Sequence, residues 1–159
     1  MMTIFPYIGA NNNPNENVRT YMTMALVEHH ELTIDEVVNR FGWVNDMAKV
    51  PTKDKLSAHY FSVKAPAVSL AGVPAYWAFS KIAPHFKHRY PKATSPAAAK
   101  IWWLRMATWI CRLFAVQLPC FLFLIWFERY LRAFTQDPVF RLSAVAACGL
   151  GTNYLAYNH

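Results

Sequence analysis

The chain has 159 residues, of which 55% are hydrophobic and 16% are charged, and its net charge is +7. This composition is too apolar for an ordinary soluble domain and too charged for a pure membrane bundle. Residues 1–64 hold six Lys/Arg and seven Asp/Glu, whereas residues 65–159 hold ten and two. Because the cations flank apolar stretches, we expect contact with membrane lipid and no contact with nucleic acid.

The first helix is predicted to begin within a polar break at residues 11–15. Asn13 is typical of an N-cap, Pro14 of the first helical position and Glu16 of the third, and together they form a capping box with Asn as the cap. We expect the helix to run to about Glu31. Its apolar face, read from helical spacing, comprises Val18, Tyr21, Met22, Ala25, Leu26 and His29.

A second, shorter helix is predicted to follow this first helix. Thr33 and Glu36 have the spacing of another capping box, and Gly42 is expected to end the helix as a left-handed cap. Residues 43–57 are polar and are expected to be irregular. Residues 59–63, HYFSV, favour a short strand.

Three apolar stretches are predicted to cross a membrane, over about residues 66–84, 103–127 and 140–157. The central one includes Met106–Phe127, which holds a single charge, Arg112. At about 1.5 Å per residue it can cross a hydrocarbon core of about 30 Å. Tryptophans and charged residues border it, as at a headgroup layer. The alternative is a buried core helix, but a soluble domain of this size seldom encloses so uniform a helix.

The two outer stretches are weaker candidates for membrane helices. The stretch 66–84 contains one charge, Lys81, and two helix breakers, Gly72 and Pro74, so a half-buried helix packed against other spans is the alternative. The last stretch carries two ridges of small residues that allow close helix packing in membranes, Ser143, Ala147 and Gly151 on one and Ala144, Cys148 and Thr152 on the next.

Cations set the predicted orientation in the membrane. Residues 81–100 hold five Lys/Arg and no acid, and a short loop this basic is expected on the cytoplasmic side. Residues 1–64 are then an extracytoplasmic loop segment with short helices, and residues 65–159 a transmembrane helical region. The predicted fold is an all-α membrane protein with about three transmembrane helices.

Few side chains in the apolar stretches are candidates for chemistry. Arg112 should face other helices or water, with Gln117 or a helix outside this chain as its partner, or contact a lipid phosphate. His85 and His88 are close enough in sequence to share a metal, but among so many cations solvated loop positions are favoured. No cysteine has metal-ligand spacing, and three cysteines in apolar stretches argue against a disulfide framework. We assign no metal site.

No soluble-enzyme motif is present, but three segments carry a family resemblance. They are P-N-E-N-V-R at 14–19, A-L-V-E-H-H-E-L-T-I-D at 25–35 and Y-F-S-V-K-A-P-A-V-S-L-A-G-V-P-A-Y at 60–76. Their order resembles the N-terminal region of bacterial polytopic proteins of the C-type (GT-C) membrane glycosyltransferase superfamily, relatives of the protein mannosyltransferases. Family members have a span before this loop and many after it, so the resemblance implies a fragment or truncated frame that is inactive alone.

The resemblance also implies a function and candidate residues for it. The function is transfer of a sugar from a polyprenyl-phosphate donor to an extracytoplasmic acceptor, at the cell inner membrane. Glu16 matches the acidic residue of the first external loop and is the candidate general base, and Arg19, three residues later, is a candidate for binding the substrate. Lys64, at a membrane entrance, is a candidate for binding the donor phosphate.

Each candidate has a structural alternative. Glu16 can cap its helix and pair with Arg19, and Lys64 can extend to the interface. The whole chain has an alternative as well, namely a small integral membrane accessory or interaction protein without catalysis. Sugar, acceptor, cofactor and metal dependence stay open.

Overall fold

The structure, a computed structural model, describes residues 14–52, 57–85 and 96–151, and this part of the chain is mostly helical. The helices are α1 (Pro14–Glu28), α2 (Asp35–Phe41), α3 (Pro66–Ile82), α4 (Pro96–Arg112), α5 (Leu118–Leu131) and α6 (Pro138–Gly151). The strands are β1 (Met47–Pro51) and β2 (Ala58–Ser62). A π-helical turn, Leu113–Gln117, joins α4 to α5 without a break. The described residues form two compact units, one within 14–115 and one within 116–151.

Helix α1 begins at Pro14, as predicted, and ends at Glu28, three residues earlier than expected. Four residues of its predicted apolar face are buried, Val18, Tyr21, Met22 and Ala25, while Leu26 is half-buried and His29 is exposed. Thr20, Thr23 and Met24 are buried as well. Because α3 and α4 both pack on it, α1 has a wider buried surface than its apolar spacing indicates. The predicted N-cap Asn13 lies outside the described residues.

The start of α2 differs from the prediction. Thr33 does not cap the helix, because its hydroxyl donates to the Glu31 carboxylate at 2.7 Å. Instead the buried Ile34 takes the cap position without a side-chain cap bond, and its N–H donates to Tyr60 O on β2 at 2.9 Å. Gly42 ends α2 with φ of +100° and ψ of 170°. The positive φ agrees with the prediction, but the ψ value places Gly42 outside the left-handed helical region.

The region predicted to be irregular contains a strand. β1 pairs with β2 as an antiparallel hairpin, with Met47 opposite Ser62 and Lys49 opposite Tyr60. The Lys49 ammonium lies 5.5 Å from the centre of the Tyr60 ring. Three of the five residues of β1 are exposed. The strand therefore lacks the alternation of a half-buried strand, and its sequence does not indicate a strand. The strand predicted over 59–63 is confirmed. It is β2, which begins and ends one residue earlier than predicted.

Helices α3 and α4 pack closely against α1. Pro66 stands at the first position of α3, and Pro74 lies inside it. A Cβ added at Gly72 would lie 3.4 Å from both Thr23 Oγ1 on α1 and Cys111 Sγ on α4. Gly72 therefore lies at a place where the three helices approach one another closely.

One continuous helix among the described residues, Pro96–Leu131, is long and apolar enough to cross a membrane. It has 36 residues and a mean hydropathy of 2.0 in its most apolar window, and no residue from Leu113 to Leu131 is buried. It contains the whole predicted span 103–127. Helix α3 falls within the predicted span 66–84, and the described part of the span 140–157 is helical in α6.

The second unit contains a helix pair, α5 and α6. Arg132 donates to both oxygens of Glu128, and Arg141 Nε lies 3.3 Å from Glu128 Oε1. Asp137 begins α6, because its carboxylate accepts the Val139 N–H at 2.9 Å. The hydrogen bonds and ion pairs around Glu128 therefore tie the end of α5 to the beginning of α6.

Candidate functional site

Glu16 and Arg112, 96 residues apart in sequence, form an ion pair. Arg112 Nη2 donates to Glu16 Oε2, which joins the first turn of α1 to the end of α4. The side chains are 19% and 10% exposed, respectively. Arg112 thus faces another helix, as expected, and its partner is Glu16 rather than Gln117.

Arg19 lies one turn after Glu16 on α1, so the two side chains leave the helix on the same side. The predicted Glu16–Arg19 ion pair is not among the pairs of the described residues, since the Glu16 carboxylate pairs with Arg112. The Nε atom of Arg19 is buried and has no hydrogen-bond partner in this part of the chain, and the same holds for the Nε atom of Arg112. Both guanidinium groups, that of Arg112 paired with Glu16 and that of Arg19 one helical turn after Glu16 in sequence, therefore keep Nε–H groups that no described atom satisfies.

The cluster of Glu16, Arg19 and Arg112 contains groups that can bind an anion and a group that can accept a proton. Guanidinium N–H groups bind phosphate oxygens strongly, and a carboxylate can accept a proton from a hydroxyl group. One carboxylate and two guanidiniums leave a net positive charge of one. The cluster can therefore hold an anionic group next to a proton acceptor.

Lys64 occupies a different place, at the base of the hairpin. Its Nζ lies 3.4 Å from Asp46 Oδ2, and both side chains are about a quarter exposed. Its backbone N–H donates to Ser62 Oγ at 3.2 Å, and Val63 N–H donates to Asp46 O at 3.3 Å. Among the described residues no ion pair joins Lys64 to Glu16, so the structure does not bring all three sequence candidates into one set of contacts.

A partly buried polar network that sequence reasoning missed links four helices. Trp103 Nε1 on α4 donates to the hydroxyl oxygen of Tyr76 on α3 at 3.1 Å, and the Tyr76 hydroxyl donates to Glu28 on α1. Arg40 on α2 donates to the other Glu28 oxygen at 3.1 Å. Tyr76 is fully buried. No local sequence pattern signals the distant partners of Glu28.

A second missed contact ties α2 to the hairpin. Asp35 Oδ2 lies 2.6 Å from His59 Nδ1, and Asp35 Oδ1 accepts the Tyr60 N–H at 2.8 Å. The Asp35 carboxylate therefore fixes strand β2 against the first turn of α2.

Tyr21, on α1, has a pKa above its ordinary value. Its side chain is 1% exposed, and its hydroxyl donates to Gly42 O at 3.1 Å. Burial raises the pKa of Tyr21 to about 12. Tyr21 is therefore a neutral donor at physiological pH that holds the end of α2 against α1.

Metal-binding groups do not cluster in the described ranges, which contain no set of three or more His, Cys, Asp or Glu residues able to hold a metal ion. No disulfide joins Cys111, Cys120 or Cys148 within the part of the chain that the structure describes. His85 Nδ1 lies 3.0 Å from Lys81 O, and His88 lies outside the described residues.

Comparisons with known proteins add no residue to this site. No protein-family model matches the chain. Neither a curated protein nor a solved structure matches it either.

Proposed function

We propose that the chain is part of a bacterial inner-membrane glycosyltransferase, which transfers a sugar from a polyprenyl-phosphate donor to an extracytoplasmic acceptor. The observation that carries this proposal is the cluster of Glu16, Arg19 and Arg112. Its three side chains combine a proton acceptor with N–H groups suited to a phosphate. Glu16 and Arg19 also lie in the P-N-E-N-V-R segment that resembles the first external loop of the family.

Each residue of the cluster has a distinct role in the proposed reaction. Glu16 accepts the proton of the acceptor hydroxyl as that oxygen attacks the sugar. Arg19 and Arg112 bind the phosphate of the donor and neutralise the charge that develops on it as the bond to the sugar breaks. Lys64, a short distance from the membrane entrance, is a further cation that binds the donor phosphate once the lysine side chain leaves Asp46.

The proposal also places the helices in a membrane. Helix α3, the continuous helix α4–α5 and helix α6 are the three proposed spans. The β1–β2 hairpin and the start of α3 lie on the extracytoplasmic side, where the acceptor is found, and residues 81–100 lie in the cytoplasm, while α1 packs along α3 and α4. A polyprenyl donor is itself a membrane lipid, so it can reach the cluster from the surrounding lipid.

A non-catalytic membrane accessory protein is the second candidate function. The Glu16–Arg112 pair favours it, because a carboxylate that already pairs with a guanidinium has a structural role without any substrate. Both candidates require the same fold and the same membrane. They differ in what the loss of the Glu16 carboxylate does to sugar transfer.

A chimera tests the proposal, with residues 1–159 replacing the matching region of an active protein-mannosyltransferase-like enzyme. We expect the chimera to transfer sugar and the isolated chain to transfer none, because one wall of a site cannot position donor and acceptor. Glu16→Gln should lower turnover about a hundredfold or more and leave insertion intact, since general-base assistance is typically worth about 10²–10⁴ in rate.

The matched control is Glu36→Gln, which neutralises an exposed carboxylate on α2. It should leave turnover unchanged. A chimera that inserts normally but transfers nothing contradicts the proposal. Full turnover in the Glu16→Gln variant also contradicts it and favours the accessory protein.

A further inference from the structure

An apolar groove runs along α3 and α4, separate from the charged cluster. Its volume is about 730 Å³, within the usual range for small-molecule sites. One wall is formed by small residues of α3 and the other by large residues of α4: Ala71, Ala75 and Ala78 on α3, and Trp109, Ile110 and Phe114 on α4. We call this feature the α3–α4 groove.

The groove is narrow, because its two walls belong to helices in direct contact. The rings of Phe79 and Trp103 lie 4.8 Å apart between centroids, and the Gly72 position lies against Cys111. A hydrocarbon chain is thin enough to lie in it.

Charge marks one end of the groove. Helices α3 and α4 are antiparallel, since Gly72 lies against Cys111 and Phe79 against Trp103. Lys81 and Lys100 therefore sit at the same end, next to Ile82, which lines the groove. Both lysines are exposed, and neither is in an ion pair within the part of the chain that the structure describes.

We propose that the α3–α4 groove binds one acyl chain of an anionic phospholipid, whose headgroup phosphate pairs with Lys81 and Lys100. The apolar lining matches the acyl chain, and the two free ammonium groups match the anionic headgroup. The inference rests on the proposed membrane location but not on sugar transfer. The site differs from the proposed donor site, because Arg112 follows Cys111 at the opposite end of the helix pair.

Trp109 makes binding directly measurable, because bromine atoms on an acyl chain quench the fluorescence of an indole that they touch. The full chain in a mild detergent is titrated with phosphatidylglycerol carrying a brominated acyl chain. We expect saturable quenching at one lipid per chain, and Trp109→Phe should remove the saturable part. Brominated phosphatidylcholine should bind more weakly, since its headgroup has no net charge.

Two sets of variants test the groove and the headgroup contact separately. Ala75→Phe fills the groove and should weaken binding of the brominated phosphatidylglycerol about tenfold or more, whereas Leu70→Phe, on an exposed part of α3 outside the groove, should not. The double variant Lys81→Gln with Lys100→Gln changes only exposed side chains. It should lower the affinity for phosphatidylglycerol to that for phosphatidylcholine.

Other results overturn the inference. Quenching that rises without saturation and is equal in all variants indicates a general lipid surface only. Displacement of the brominated lipid by polyprenyl phosphate but not by unlabelled phosphatidylglycerol assigns the groove to the sugar donor. A dimer that Ala75→Phe converts to a monomer assigns it to a second copy of the chain. Loss of sugar transfer in the chimera leaves the lipid result unaffected, so the two proposals fail separately.

Discussion

At the residue scale, the Glu16–Arg112 pair is the contact with the largest expected effect on stability. Both side chains are largely buried, and the removal of one partner leaves the other charge without compensation. Such a loss typically costs about 3–5 kcal/mol for a fully buried pair. The pair also closes α1 onto α4, so it stabilises a contact between segments that are far apart in sequence.

We therefore expect Arg112→Gln to destabilise the folded chain by about 2–4 kcal/mol, somewhat less than for a fully buried pair. The double variant Glu16→Gln with Arg112→Gln should lose less than the sum of the single variants, because it leaves no unpaired charge. Denaturant unfolding in detergent, followed by circular dichroism, gives these free energies. Arg105→Gln, at an exposed position of α4, is the control and should stay within about 0.5 kcal/mol. Additive single effects would show that the two side chains do not interact.

The raised pKa of Tyr21 predicts that the free energy of unfolding falls at alkaline pH. Its pKa rises from 10.0 to about 12 in the folded chain, so the folded state favours the neutral phenol. This contribution to the free energy of unfolding is complete below pH 10 and is lost as the pH rises through 12. Unfolding curves of the wild type and of Tyr21→Phe, recorded between pH 8 and 12, isolate it. The difference in the free energy of unfolding between the two proteins should become smaller above pH 10. A difference that stays constant over this range would show that Tyr21 titrates normally.

At the element scale, sequence patterns predicted the helices better than the hairpin. Helical spacing placed Val18 and Ala25 on the buried face of α1, because packing against two helices follows the apolar positions. It missed β1, whose side chains are mostly exposed. It also placed a cap at Thr33, where the hydrogen bond from Ile34 to Tyr60 on β2 fixes the start of α2 instead. Tertiary contacts of this kind have no local signal.

The predicted orientation of the elements can be tested with cysteines and a membrane-impermeant thiol reagent in intact cells. The background is a chain whose three cysteines are replaced by alanine. Ala97→Cys, at an exposed position near the start of α4, should react slowly because residues 81–100 are predicted to be cytoplasmic. Ser57→Cys, exposed beside the hairpin, should react fast. Equal labelling rates at the two positions would contradict the orientation.

At the scale of the whole molecule, the candidate site depends on contacts that the sequence could not supply. Glu16, Arg19 and Lys64 were identifiable as single residues from motifs and charge. The sequence also indicated that Arg112 needs a partner, but that partner lies on a helix 96 residues away. The partner of Arg112 depends on which helices pack together, whereas a periodic sequence pattern shows only which face of a helix is buried. The Tyr76–Glu28 contact was missed for the same reason.

The proposed function, the orientation and the lipid groove all require that the chain is integral to a membrane. The continuous helix Pro96–Leu131 is long and apolar enough for this, and no residue from Leu113 to Leu131 is buried by other parts of the chain. Extraction of isolated membranes with alkaline carbonate, which releases peripheral proteins, tests the requirement most directly. We predict that the chain stays in the membrane pellet and leaves it only with detergent. Recovery as a monodisperse monomer in the soluble fraction without detergent would contradict the account.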